Sequence, residues 1–372
     1  MAGKITEIRA RIKAVQRAIR RAGVDGVLAS SPASMFWLAG VSGTSWIIVS
    51  GRGAVVMPSR LSDQAVRSEL GGGVKVLHPG RGWKSMLDAA RRMGILRMGV
   101  EDQCMTVANH DALKSALSGD VLLVPAGGMF SGLRAEKWLE ERKAILKACA
   151  ITSKVASWLP ALIGPGMSEK DLAARVDSIM RLSGADGPAF DTIALAGSRT
   201  AMPHGVPGER RIRKGDLVLV DFGAKVDNYH SDCTRTFSAG NPTAAQRRAY
   251  RLVYRAYASA RARVRPGVAA EAPWKAANRA LGKMSKYFVH GLGHGVGLEI
   301  HEAPSLSAGN REILRRGQFV TVEPGIYIPG WGGIRLEDTV MITSHGAKPV
   351  TGTLPRELPI VGEILRRKGG QR

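Results

Sequence analysis

Four of the eight histidines fall in two short glycine-containing stretches. His204 lies in MPHGVP, and His290, His294 and His301 lie in HGLGHGVGLEIHEAP. Glycine beside histidine lets backbone and ligand approach closely, which a core histidine does not need. The spacing is not HExxH and the glycines do not match GxGxxG, so neither a helical zinc-protease site nor a dinucleotide loop is supported. The carboxylates add a second pattern. In LVLVDFGAKVDNYHSDCTRTF, Asp221 ends an apolar strand, Asp227-Asn228 is turn material, and Asp232 returns to within a pair or two of Asp221. In FVTVEPGIYIPGWGGIRLEDTVMI, Glu323 lies on one apolar strand, PGWGG makes the connection, and Glu337 lies on the return. Like charges placed so close need a cation, a shared proton or an arginine, and Arg235 offers the structural alternative of an ion pair. Two Asp, two Glu and an imidazole form a ligand set suited to Mn, Co, Fe or Zn. Five such side chains serve two divalent ions when carboxylates bridge them, and four carboxylates balance the ions' charge.

The elements that must position these residues can be read on either side of residue 130. The N-terminal repeat Ile5, Ile8, Ile12, Val15, Ile19 alternates at three and four and stops at Gly23, which predicts a structural helix rather than a targeting segment. Strands follow at 26–30, 45–50, 54–58, 74–78, 97–100 and 120–124, with helices near 60–70, 81–94 and 107–117. That alternation indicates an α/β layer domain over 1–130. The Gly-rich PAGGMFSGLR at 125–134 reads as the boundary. Beyond it come a long helix over 135–162 and a helix over 169–182 opened by a Ser168/Asp171 capping box. Strands near 189–196 and 216–222, helices near 243–264 and 270–284, and strands near 318–328 and 334–343 complete an α+β domain over 131–372.

Charge is the other prominent property. The 372 residues carry 54 Lys plus Arg against 31 Asp plus Glu, a net +23, yet 44% are hydrophobic, which excludes a disordered polycation. The excess is spread evenly, net +8 over 1–130 and +15 over 131–372. The densest runs, RRIRK at 210–214 and the Arg-rich segment 247–265, read as a solvated loop and a solvated helix face with some affinity for polyanions. Nucleic-acid binding is therefore not expected to be the main role. Three widely spaced cysteines without CxxC indicate free thiols in a reducing, cytoplasmic setting. No apolar run approaches the ~20 residues of a membrane span, so no membrane partner is expected.

Taken in order, MPHG, VDFG…YHSDCTRTF, HGLGHGVGLEIHEAP, VEPGIYIP and GIRLEDTV resemble the metallopeptidases of the pita-bread fold, in the branch that holds prolidase and aminopeptidase P. The resemblance covers about 135–360, and the N-terminal half is similar, more loosely, to the creatinase-type domain that precedes it in this branch. It implies an α+β pita-bread catalytic domain after a smaller α/β domain, and hydrolysis of the Xaa-Pro bond. It also implies five metal ligands, Asp221, Asp232, His294, Glu323 and Glu337, with Asp232 and Glu337 bridging two divalent ions. Manganese comes first among these, with Co, Zn or Fe as alternatives. Glu323 is implied as proton shuttle, His204 and His301 as donors to the carbonyl or intermediate oxygen, and His290 and Arg335 as further substrate-side residues. The expected substrates are small peptides with proline second, and the expected assembly is a homodimer to which Phe36 and Trp37 contribute across the interface. Dipeptidase and aminopeptidase variants stay open with a lean to dipeptidase, Arg311 and Arg335 being candidates for a substrate carboxylate. A basic binding protein on the same fold is the alternative from another class.

Overall fold

Ile8, Val15 and Ile19 are buried along one face of the helix Ala2–Ala22, as an apolar stripe at three-and-four spacing requires. The computed structural model describes residues 2–70, 74–78, 83–117 and 119–361, with side chains from residue 5. Contacts divide the chain into Met1–Arg134 and Ala135–Arg372. The first unit is built on a six-stranded sheet in the order Lys75–Val76, Gly53–Pro58, Thr44–Ser50, Gly26–Ala29, Arg97–Val100, Leu122–Pro125. The central Gly26–Ala29 strand pairs antiparallel with Thr44–Ser50 and parallel with Arg97–Val100, and all four of its residues are buried. Residues 81–82, read as the start of a helix, lie outside the described residues; the helix itself spans Trp83–Arg92.

Two segments of this unit depart from the sequence reading. Pro32–Ala39 is a helix, opened by the Ser31 hydroxyl accepting from Ser34 N and closed by Gly40 in the left-handed region. Its cap signals are present, but eight residues are too few for an apolar period to show. Within it Trp37 is fully buried, so it packs inside its own unit and is not offered to a partner. The Gly-rich 125–134, read only as the boundary, is itself largely helical. It forms the helix Gly127–Ala135, whose first amide donates to Asp102 Oδ1 at 2.8 Å.

In the second unit the helix Leu139–Leu162 is 24 residues long and apolar enough to cross a bilayer by composition. Lys143, Lys147 and Lys154 hide this in a scan for continuous apolar runs. Ala144, Ile145, Ala148, Cys149, Val155 and Leu159 are buried along it, which makes it a core helix. The helix Glu169–Leu182 begins with the expected reciprocal cap: Asp171 N donates to Ser168 Oγ and Ser168 N to Asp171 Oδ2. Thr243 and Gln246 cap Ala244–Arg261 in the same way.

These helices cover two packed regions. One joins Leu139–Leu162 and Glu169–Leu182 to the antiparallel strands Ile193–Ala196, Leu217–Phe222 and Cys233–Ser238. The other joins Ala244–Arg261 and Glu271–Leu281 to a five-stranded sheet ordered Glu302–Leu306, Gly293–Gly295, Phe319–Val322, Asp338–Thr343, Gly346–Pro349. Asp227 and Asn228, at φ 51° and 67°, make the tight turn after Ala224–Val226, where left-handed backbone favours Asn and Asp. The single long hairpin expected over 318–343 is instead two. Phe319–Val322 pairs with Asp338–Thr343, then the ladder breaks and resumes as Gly325–Ile328 with Gly332–Arg335.

Candidate metal centre

The breaks in these ladders are where the acids sit. Val322 pairs with Asp338, so Glu323 and Glu337 leave the ladder at the same level, in the interval between the two hairpins. On the other sheet Thr234 pairs with Asp221, and Asp232 lies two residues before Thr234, just outside the strand. His294 comes from the short strand Gly293–Gly295, whose glycines admit no side chain. A Cβ on Gly293 would lie 2.1 Å from Thr321 O, and one on Gly295 2.2 Å from Ala303 O. The glycines that drew attention in the sequence thus let the histidine strand lie against its neighbours.

Ligand atoms of Asp232, His294 and Glu337 lie within 4.8 Å of one another. His294 Nε2 is 3.3 Å from Glu323 Oε1 and 3.6 Å from Asp232 Oδ2. The other ring nitrogen of His294 is 3.1 Å from Gly295 O. Nδ1 donates to that carbonyl, so Nε2 is the nitrogen turned toward the carboxylates: protonated it donates to Glu323, and on losing that proton it offers the lone pair a metal-ligating histidine needs. Asp221 is joined to the group through Arg335, whose Nη2 donates to Asp221 Oδ2.

Threonines two residues from three of the acids, on the adjoining strands, orient this array. Thr234 Oγ1 donates to Glu337 Oε2 at 2.6 Å. Thr321 Oγ1 donates to Glu323 Oε1 at 3.1 Å. Thr339 Oγ1 accepts from Asp232 N at 3.2 Å. Even so, Asp221 Oδ1, Asp232 Oδ1 and Glu337 Oε1 are buried and accept no hydrogen bond among the described residues. Burial first, and then neighbouring carboxylates, push the Asp232 and Glu337 carboxyls well above the ordinary range. Burial opposes ionisation of Glu323 too, but the His294 hydrogen bond and charge outweigh it and hold that carboxyl low. Orphaned oxygens on three buried carboxylates, two of which cluster with His294, are what a cation would satisfy, so the donor set fits divalent metal.

The remaining predicted residues surround this array. His301 packs edge-to-face on His294 with ring centroids 4.2 Å apart, and burial and the His294 charge lower its pKa. His290 is also lowered, first by burial. Its Nδ1 is 2.7 Å from Gly291 O and its Nε2 2.9 Å from Tyr327 OH, so both nitrogens are taken up by protein. His204 is exposed. Arg335 corrects one expectation. It is 3% exposed and its donors go to Asp221 Oδ2, Thr234 Oγ1, Tyr327 OH and Pro203 O. It therefore holds Asp221 and the MPHG segment in place and is not free for a substrate carboxylate. Arg311 is exposed on a loop. Arg235, weighed as counter-ion to the Asp pair, pairs instead with Asp338 at 2.8 Å.

The model of metallopeptidase family M24 matches residues 143–344, more than half of the chain. The chain belongs to that family. The Creatinase/Prolidase N-terminal domain matches 11–135 of this M24 member. It is 34% identical to the Xaa-Pro dipeptidase of Pyrococcus horikoshii over 355 residues, 94% of this chain and 98% of that one. The structure of an Xaa-Pro dipeptidase from Bacillus anthracis superposes with a TM-score of 0.90 at 32% identity, covering 95% of this chain and 99% of the other. An X-Pro aminopeptidase from Thermotoga maritima superposes at 0.82 with 29% identity, covering 93% and 100%. This M24 chain is accordingly a metal-dependent peptide hydrolase on the pita-bread fold, preceded by a creatinase-type domain.

Sequence reading missed several residues that shape the M24 site. Asp338 accepts from Arg235 and from Tyr257 OH, the latter at 2.6 Å, and Arg235 Nη1 donates to the Glu337 carbonyl. This buried set fixes the backbone that carries Glu337. Burial, then Asp338, push the Tyr257 phenol far up, keeping it a donor. Threonine at the second position from an acid was a usable signal, since Thr234, Thr321 and Thr339 all bond within the acid cluster.

Proposed function

We propose that this M24 hydrolase is a proline dipeptidase that cleaves the Xaa-Pro bond of small peptides. We further propose that Asp221, Asp232, His294, Glu323 and Glu337 hold two divalent ions, manganese foremost. The observation that carries the metal assignment is the cluster of Asp232, His294 and Glu337 ligand atoms within 4.8 Å of one another, with buried, unpartnered oxygens on Asp232, Glu337 and Asp221. The dipeptidase assignment is supported by the names of relatives and structural neighbours at 32–34% identity over nearly the full chain.

Divalent ions at such a site supply an activated water and a polarised scissile carbonyl. The protein's own part is orientation and proton handling. Glu323 accepts the proton released by the attacking water and passes it to the proline nitrogen as that nitrogen leaves. His301, which packs on His294, and His204 donate to the carbonyl oxygen as negative charge develops there. The bond before proline has no N–H, so recognition rests on the ring's fixed shape and on the oxygens. Arg335 and Tyr327 position Asp221 without touching substrate.

A homodimer and a cytoplasmic setting complete the reading, the latter supported by three free cysteines. Offering manganese-loaded protein Ala-Pro and Ala-Pro-Ala side by side tests it. Hydrolysis confined to the dipeptide is expected. Equal or faster cleavage of the tripeptide would make the chain an Xaa-Pro aminopeptidase, and cleavage of neither, with salt-sensitive RNA binding, would leave a binding protein.

A further inference from the structure

The Arg-rich helix singled out in the sequence lines a groove that the metal centre does not use. The groove encloses about 790 Å³ between Ala244–Arg261, the 3-10 helix Gly282–Tyr287, the Gly325–Ile328/Gly332–Arg335 hairpin and the segment at 356–357. None of the candidate metal ligands lines it. On the hairpin, Tyr327 faces His290 and Arg335, while the next residue, Ile328, lines the groove, as strand alternation requires.

Its rim and floor differ in kind. Arg248, Arg251, Arg255 and Arg356 supply four guanidinium groups, and Glu357 is the one acid among the lining residues. Glu357 meets Arg251 at 3.4 Å. Arg248, Arg255 and Arg356 have no ion-pair partner among the described residues. The rim thus carries a net three positive charges with forked donors unspent. The floor is Leu252, Met284, Ile328 and Trp331, each half-buried, with Tyr254 beside them.

We propose that this groove binds a nucleoside triphosphate, with the phosphate chain on the arginines and the base against Trp331. Charge complementarity decides between ligand classes. A carboxylate with an apolar tail would leave most of the rim uncompensated, whereas a polyphosphate chain matches several guanidiniums at once through paired N–H donors. A flat base uses the indole and the aliphatic floor, and stacking on aromatic or guanidinium planes needs no sequence-specific contact. The volume lies within the range of small-ligand sites and holds one nucleotide, not a length of polymer. The even +23 background alone would attract any polyanion, so the apolar floor is what makes the site selective.

The test is calorimetric titration of the manganese-loaded enzyme with magnesium-ATP at near-physiological salt. Parallel titrations use adenosine, magnesium tripolyphosphate, hexaglutamate and a ten-residue oligothymidylate. We expect one ATP site per chain, with adenosine and tripolyphosphate each binding at least tenfold more weakly. The double substitution Arg248→Ser, Arg255→Ser alters two exposed side chains and should weaken ATP at least tenfold while leaving dipeptide hydrolysis without nucleotide unchanged. Tripolyphosphate matching ATP would reduce the groove to a patch of bare charge and overturn the proposal. So would tighter binding of hexaglutamate or the oligonucleotide, ATP affinity indifferent to the double substitution, or no ATP binding.

Discussion

Arg335→Met removes the guanidinium that ties Asp221 to the rest of the site while keeping most of the side chain's bulk. In the native arrangement that group gives Nε to Thr234 Oγ1 at 3.0 Å, Nη1 to Tyr327 OH at 2.8 Å and to Pro203 O at 3.2 Å, and Nη2 to Asp221 Oδ2. Losing it leaves Asp221 with two unpartnered oxygens in a position 9% exposed. Breaking a buried ion pair from one side costs about 3–5 kcal/mol. At roughly 2–4 °C per kcal/mol for a domain of this size, the metal-free variant should melt roughly 6–20 °C lower. Bound ions recover part of that by neutralising Asp221. Manganese affinity and turnover at saturating manganese should each fall about 10–100-fold, the usual cost of removing a group that orients metal ligands. Arg335→Lys keeps the charge but not the fork, so it should recover stability more than turnover. Melting curves with and without chelator, manganese titration calorimetry and Ala-Pro hydrolysis read the three quantities. If the methionine variant keeps native manganese affinity, or the lysine variant restores everything, the geometric role assigned to Arg335 is wrong.

Three further outcomes follow from the site and its supports. Asp232→Ala and Glu337→Ala should each abolish metal loading and reduce activity below detection in a discontinuous proline assay, and full activity in either would remove the bridging assignment. Asp232 and Glu337 have folded pKa values raised above their unfolded ones, so the stability they contribute is complete below the unfolded value of about 4 and is lost as pH rises. The chelator-treated protein should therefore lose melting temperature as pH rises above about 4, and manganese should reverse that slope; an unchanged profile on adding metal would contradict a carboxylate-metal site. Lys137, 2% exposed, donates to Glu302 Oε2 at 3.0 Å beside His301, so Lys137→Met should destabilise by about 3–5 kcal/mol in denaturant melts, and a change under 1 kcal/mol would show that the pair is dispensable.

Much of the site was legible because acids interrupting apolar strands are costly and therefore conspicuous. Asp221, Glu323 and Glu337 each stand at the end of, or just past, a run that would otherwise be uninterrupted core, and His294 is marked by glycines with no other purpose. The roles of the two arginines were harder to read. Arg235 and Arg335 each follow or precede an acid by two or three residues, and which one reaches Asp221 depends on how two hairpins cross, a relation that no spacing within one strand encodes. Asp338 was hidden by its neighbour Glu337, since consecutive strand residues face opposite ways and only one of them enters the site. In the first unit the helix Pro32–Ala39 was too short for periodicity to reveal, although its caps spelled out both ends.

The two packed regions of the catalytic unit give the ligand array a mechanical meaning. Asp221 and Asp232 hang from the strands packed with Leu139–Leu162, and His294, Glu323 and Glu337 from those packed with Ala244–Arg261. Ions shared by all five side chains would rivet together two half-domains that each own a separate apolar interior. Metal supply would then govern not only turnover but how long the halves stay closed against proteolysis, making the cofactor a gauge of the protein's lifetime.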